Sequence, residues 1–198
     1  MKKILALLFG ALAIVACSSD DSSSSSSEDP IFSQPYTELT SLDELAEGKY
    51  AYVGNKIGDR KVGLVLESNE CKKKDYLVAH RTGAVLDSLS YNNFGMKVND
   101  NKRECGSIFE FPRIVRNMAL EAPGDLKVLV TDDYLHKIVI DKGPDEDPEI
   151  KYERRRKPAH YDGNIEIGFQ AGYLRVEDRL SDYQRLKDEK VYLYFKKM

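Results

Sequence analysis

The chain has 198 residues, of which 41% are apolar and 32% charged, and it carries a formal net charge of −3. That length supplies enough apolar side chains for one domain with a real core. The slight acidity argues against general affinity for nucleic acid or for anionic lipid headgroups, both of which need a positive surface.

Taken from the start, Lys2 and Lys3 precede an apolar run from Ile4 to Val15, which closes on Ile14-Val15-Ala16-Cys17. A spanning helix needs about 20 apolar residues, so a run this short behind a basic start is a cleavable export signal. The tetrapeptide resembles the lipobox of bacterial lipoproteins: an aliphatic residue, a tolerant position, a small residue, then Cys. The resemblance implies that residues 1–16 are removed and that Cys17 becomes the diacylglyceryl-modified, N-acylated first residue. Cleavage takes Lys2 and Lys3 but no acid, leaving 28 Lys and Arg against 33 Asp and Glu, a charge of −5. Membrane attachment must then come from the lipid, whose several acyl chains would hold the protein essentially permanently.

Ser18 to Pro35 carries six consecutive serines at Ser22 to Ser27, followed by Glu28-Asp29-Pro30. Such polar sequence buries too little to offset its ordering entropy, so residues 17–35 are expected to form a disordered tether of roughly 21–25 Å on average. Ser18 after the lipidated Cys is similar to the outer-membrane default of Gram-negative lipoprotein sorting. Asp20-Asp21 resembles a signal for export to the outer face, or is solubilising linker composition. Lipidation of Cys17 leaves two thiols, Cys71 and Cys105, in an oxidising compartment, and a disulfide between them is the expected pairing. It would restrict the unfolded chain by about 4 kcal/mol in the loop-entropy picture. Asn92-Asn93 and Asn99-Asp100-Asn101 within that loop suggest irregular chain.

Residues 36–198 show no second break in composition. Thr40 to Glu44 offers a capped helical start that Gly48 ends. The dominant period beyond it is two: Val62, Leu64 and Leu66, then Ile165, Ile167 and Phe169, then Val191, Leu193 and Phe195 alternate with other residues, as half-buried strands do. Further strands are predicted over Tyr50 to Gly54, Tyr76 to Arg81, Val85 to Tyr91, Ser107 to Phe111, Leu126 to Thr131, Tyr134 to Asp141 and Tyr173 to Glu177. Short turns at Asn55 to Arg60, Thr82-Gly83, Asp132-Asp133 and Ala171-Gly172 favour antiparallel neighbours. Pro112 to Glu121 suits either a short helix or a bent strand, and Ser181 to Asp188 suits a short helix. The fold class is therefore all-β, a single antiparallel sandwich or barrel with one to three short helices.

Reactive constellations are not legible. His80, His136 and His160 have no spacing that links them into a metal set, and neither a nucleophile motif nor a phosphate-cradling glycine loop is present. No catalytic residue, metal or cofactor is assigned. Two surfaces carry recognition chemistry. Arg154, Arg155, Arg156 and Lys157 follow an acidic loop, Asp141 to Glu149, and either pair with those acids or grip phosphate or carboxylate on an envelope polysaccharide or protein. Tyr192 and Tyr194 share one face of the last strand and either stack on a ligand or pack beneath another layer. The sequence thus implies a lipid-anchored outer-membrane protein with a noncatalytic β domain. The alternatives are a surface polysaccharide hydrolase with unidentified carboxylates and a barrel carrying a small apolar ligand.

Overall fold

The structure, a computed structural model, describes residues 30–58, 70–99, 102–142, 146–181 and 189–198. Cys17, the tether to Asp29, the Val62/Leu64/Leu66 alternation and all but Ser181 of the last expected helix lie outside these residues. In chain order the strands are β1 (Tyr36–Glu38), β2 (Gly48–Ile57), β3 (Tyr76–Thr82), β4 (Val85–Asn92), β5 (Phe94–Asn99), β6 (Lys102–Ser107), β7 (Arg113–Ala122), β8 (Asp125–Thr131), β9 (Asp133–Ile140), β10 (Glu149–Arg156), β11 (Tyr161–Gln170), β12 (Tyr173–Glu177) and β13 (Val191–Lys197). The sheet runs β11-β12-β13-β2-β3-β4-β7-β8, and β8 returns to pair with β11 over Tyr161↔Val130 to Glu166↔Asp125. The eight strands therefore close into an antiparallel barrel, resolving the choice between sandwich and barrel.

Closure places the alternating residues of each strand inside. Leu77 and Ala79, Leu126, Val128 and Val130, Ile165 and Ile167, Leu174 and Val176, and Leu193 and Phe195 form one buried cluster. Tyr52 and Tyr91 meet Phe195 edge to face at centroid distances of 6.0 and 6.3 Å, so rings fill the middle of the barrel. Beyond the start of β8 at Asp125, β1 takes over the same side of β11, with Tyr36↔Gln170 and Glu38↔Gly168 opposed. This seam requires a glycine at 168, because a Cβ there would lie 2.3 Å from the Thr37 carbonyl oxygen.

The capped start takes the expected form: the Ser41 side chain accepts from the Asp43 amide, and Glu44 reaches back to the Thr40 and Ser41 amides at 2.9 Å, around a single 3-10 turn, Leu42–Glu44. Pro112 to Glu121 resolves as strand β7, flanked by β4 and β8, which supply ladders a helix could not use. Several expectations are corrected. Only Ser107 of the predicted Ser107 to Phe111 strand is extended ladder, and the rest bends away toward β7. The described part of the segment expected to be irregular is regular: Asn92 ends β4 and Asn99 lies in hairpin β5–β6, in register from Phe94↔Ser107 to Asn99↔Lys102, while Asp100 and Asn101 lie outside the described residues. Asp132-Asp133 is no hairpin turn. β8 is already paired on both sides, so β9 leaves the barrel and pairs with β10, which contains Arg154 to Arg156 rather than leaving them in a loop.

The two barrel ends differ. At one end neighbouring strands join through tight connections at Gly83, Pro123-Gly124 and Ala171-Gly172, the last with positive φ at both residues (50° and 80°) as a primed hairpin turn demands. At the other end lie the last residues of β2, β4, β8 and β12; hairpins β5–β6 and β9–β10 leave from it, and the described residues 70–75 and 178–181 sit there.

Candidate functional site

Loops mounted on one end of a rigid barrel are where binding groups collect, and the hairpin-bearing end is built on two polar hubs. Arg113, at the first residue of β7, is 3% exposed. Its Nε donates to Asp132 Oδ1 at 2.7 Å and its Nη1 to the Leu180 carbonyl at 2.6 Å. Nη1 lies 3.3 Å from His160 Nε2, and the guanidinium sits 4.2 Å from the Phe109 ring centroid. One arginine thus ties three excursions together. The second hub joins the remaining one: Lys72 Nζ lies 2.6 Å from Asp75 Oδ2 and donates to Asn93 Oδ1 at 3.0 Å, while Asp75 also accepts from the Tyr91 hydroxyl at 2.5 Å and the Phe94 amide at 2.6 Å. Burial raises the Asp75 pKa even against the Lys72 charge. Beside it, Cys71 and Cys105 are disulfide-bonded with their Cα atoms 5.4 Å apart, fastening hairpin β5–β6 to the segment before β3.

Hairpin β9–β10 projects from this end as an arm of eight residue pairs, from Asp133↔Arg156 to Ile140↔Glu149. Directly opposed residues share a face. One face therefore carries Leu135, Lys137 and Val139 beside Arg154, Tyr152 and Ile150, and four of these are large apolar groups left exposed: Leu135 42%, Val139 57%, Ile150 49% and Tyr152 63%. Its root is braced. Arg154 Nε and Nη2 both reach Asp133 Oδ2, at 2.8 and 2.7 Å, with the guanidinium 4.3 Å from the Phe111 ring centroid, and the Leu135 amide donates to Glu110 Oε2 at 3.0 Å.

Of the predicted cations, Arg154 and Arg155 pair with acids of the same hairpin, Arg155 Nη2 lying 2.9 Å from Glu153 Oε2. Arg156 approaches Asp133 only to 3.9 Å, and Lys157 is exposed. Tyr192 and Tyr194 point outward from β13 as expected, yet they are 8% and 0% exposed. The segment before β1 covers them: Ile31 packs on both, and Phe32 meets Tyr194 edge to face at 6.2 Å. Neither ring is presented for stacking, because the outer wall of the barrel acquires a second small core there.

Beside Tyr192 a flank groove of about 560 Å³ is lined by carboxylates, among them Glu38, Asp125, Glu166 and Glu177, with Arg175 and Lys190. Partial burial opposes ionisation of Glu166, but hydrogen bonds from Lys190 (2.8 Å) and the Tyr192 hydroxyl (2.6 Å) and the nearby Arg175 outweigh it, holding its pKa below the usual range. The Arg175 guanidinium lies between the Tyr36 and Tyr192 rings, 4.2 and 3.6 Å from their centroids. Most of these groups are paired, although the buried Tyr36 hydroxyl at the same groove has no hydrogen-bond partner among the described residues. The histidines stay apart: His80 Nε2 is 2.8 Å from Ser90 Oγ, His136 packs on Tyr134 in the arm, and His160 stands at Arg113. Among the described residues no three His, Cys, Asp or Glu side chains are placed to hold a metal. The apolar arm face escaped sequence reasoning because β10 offers six charges and little alternation. Its signal was the isolated pair Ile150 and Tyr152, two residues apart.

Comparison of the chain with family models, with curated proteins and with solved structures gives no match in any of the three.

Proposed function

We propose that this chain is a lipid-anchored, noncatalytic barrel of the bacterial outer membrane, held by acyl groups on Cys17, and that it works by contact through the β9–β10 arm. The observation that carries the reading is the arm itself: a braced hairpin with four exposed apolar side chains on one face and a basic root, at the barrel end from which both hairpins leave. The packed interior makes surface contact a better reading than carriage of an apolar ligand, since rings and branched side chains already occupy the barrel. Two measurements test it. Labelled palmitate should enter the wild-type chain and not Cys17→Ser, and hydroxyl-radical footprinting should show Tyr152 protected in intact cells relative to purified protein. Equal labelling of both chains would remove the anchor from the reading, and an unprotected Tyr152 would remove the arm.

A second reading, polysaccharide hydrolysis, is favoured by one observation, the carboxylate-lined groove. Glu166 Oε1 and Glu177 Oε2 lie 2.8 and 3.6 Å from the same Lys190 Nζ, so two carboxylates, the pair a glycosidase requires, converge in this groove. A proton donor needs a raised pKa, however, and that of Glu166 is lowered. Turnover of an envelope polysaccharide by purified protein, abolished by Glu177→Gln, would replace the first reading.

A further inference from the structure

From the charge pattern along the arm we infer that its apolar face is covered by the same face of a second copy of this chain, the two arms lying antiparallel about a two-fold axis. The inference rests on the arm being a contact surface and names its partner.

The arm is electrically polarised along its length. Its root holds four cations, Arg154 to Lys157, against two acids, Glu153 and Asp133, whereas the described residues of its far end hold four acids, Asp141, Glu146, Asp147 and Glu149, against Lys142. At the root Arg156 and Lys157 are exposed, and at the tip so are Glu146 and Asp147. Between the ends sits the apolar face of Leu135, Val139, Ile150 and Tyr152. An anionic membrane or an acidic polymer would suit the root and be repelled by the tip, and a basic partner would meet the reverse conflict. An antiparallel second copy satisfies both ends at once, because a two-fold axis through the middle of the face sets each root against the other tip and Leu135 of each copy against Val139 and Ile150 of the other, with Lys137 and Tyr152 near the axis. At about 3.3 Å per residue the arm is roughly 26 Å long, so Arg156 of one copy reaches the region of Glu146 of the other.

One face of a two-stranded arm is small beside a standard interface of about 800 Å² per partner. Association is therefore expected to be weak in free solution and to be completed by confinement on a membrane, where effective concentration rises.

The test uses the full-length Cys17→Ser chain in sedimentation equilibrium. A concentration-dependent dimer is expected, with dissociation at least tenfold easier in Val139→Glu. Reversing the root (Arg156→Glu with Lys157→Glu) or the tip (Glu146→Lys with Asp147→Lys) should weaken self-association of each variant at least tenfold. Mixing the two variants should restore dimers, because each negative root then meets a positive tip and each positive root a negative tip. All four positions are exposed, so the variants keep the Arg154–Asp133 brace and are expected to fold; circular dichroism confirms that the strand signal is retained. A chain that remains monomeric to about 1 mM, where binding free energy falls to about −4 kcal/mol, would overturn the inference. So would a dimer indifferent to Val139→Glu, or a mixture no more associated than its components. Protection of Tyr152 by anionic vesicles while the chain stays monomeric would also overturn it. A monomeric chain whose Tyr152 is still protected in cells would sink self-pairing and leave the contact reading standing; an unprotected Tyr152 sinks that reading.

Discussion

The two hairpins that leave the barrel, β5–β6 and β9–β10, are alike in origin and different in attachment. Each is inserted between strands that neighbour in the barrel, β4 and β7 for the first, β8 and β11 for the second. The shorter hairpin is fixed covalently by Cys71–Cys105 and by Asp75, which takes the Phe94 amide at its base. The longer one has no covalent tie. Arg113 holds Asp132 just before β9 and stands beside His160 just after β10, and Arg154 clamps Asp133 under Phe111. A disulfide constrains the unfolded chain whatever lies around it, whereas an arginine hub works only while its partners stay desolvated around it. The second hairpin is thus held by the assembled barrel end, and its apolar face is left for something else.

The largest effect should come from removing the covalent tie. Cys71→Ser is expected to cost about 4 kcal/mol of stability, measured by chemical denaturation. Hydrogen exchange should open β5–β6 while leaving the β9–β10 amides near their wild-type protection; equal loss in both hairpins would erase the distinction. Next, Arg113→Met should cost about 3 kcal/mol, since it strands Asp132 and the Leu180 carbonyl at a buried position. Here exchange should accelerate in β9–β10 first. A smaller change is expected for Arg154→Ala, about 1 kcal/mol or less because the guanidinium is half exposed, seen as faster exchange at the arm root with an unchanged melting transition for the barrel.

The smallest effect is a titration. The Asp75 pKa is raised in the folded protein, so the protonated form is the one that folding favours: its contribution is present below the unfolded carboxylate range and is lost as pH rises through the folded pKa. The stability of wild type minus that of Asp75→Asn should therefore fall between pH 4 and pH 7, and a rise over that interval would contradict the assignment.

The same contrast explains what could be read before the structure. Period-two runs such as Ile165, Ile167 and Phe169 mark barrel strands because closure buries one face and not the other. Closure itself is a matter of β8 meeting β11 at a distance of more than thirty residues, for which no local pattern codes. The disulfide was legible once the lipobox resemblance had taken Cys17 out of the thiol count, and the structure places Cys71 beside Cys105. Hairpin β5–β6 was not, because Gly95 opposite Gly106 and Met96 opposite Cys105 carry no alternation of burial. In β10, charges stand on both faces because neither is buried against the barrel. At the candidate site, Arg154 to Lys157 could be named as a cluster, but its division into a braced Arg154 and an exposed Lys157 depends on Asp133 and Phe111, which arrive from other elements. For Tyr192 and Tyr194 stacking and packing beneath another layer both stood open, because the residues that cover them, Ile31 and Phe32, lie some 160 positions upstream in a segment whose composition reads as tether.

Barrel closure also has a bearing on solubility. A closed sheet consumes the backbone donors and acceptors along its strands, so the long unpaired ladders among the described residues are those of the two hairpins. Such a ladder can recruit further chains without limit, building fibres. In β10, Glu149, Lys151, Glu153 and Arg154 to Arg156 leave only Ile150 and Tyr152 uncharged. A third strand laid along that edge would have to bring matching charges at nearly every position. The density of charge that hid β10 from sequence reading therefore makes that edge a poor template for a further strand.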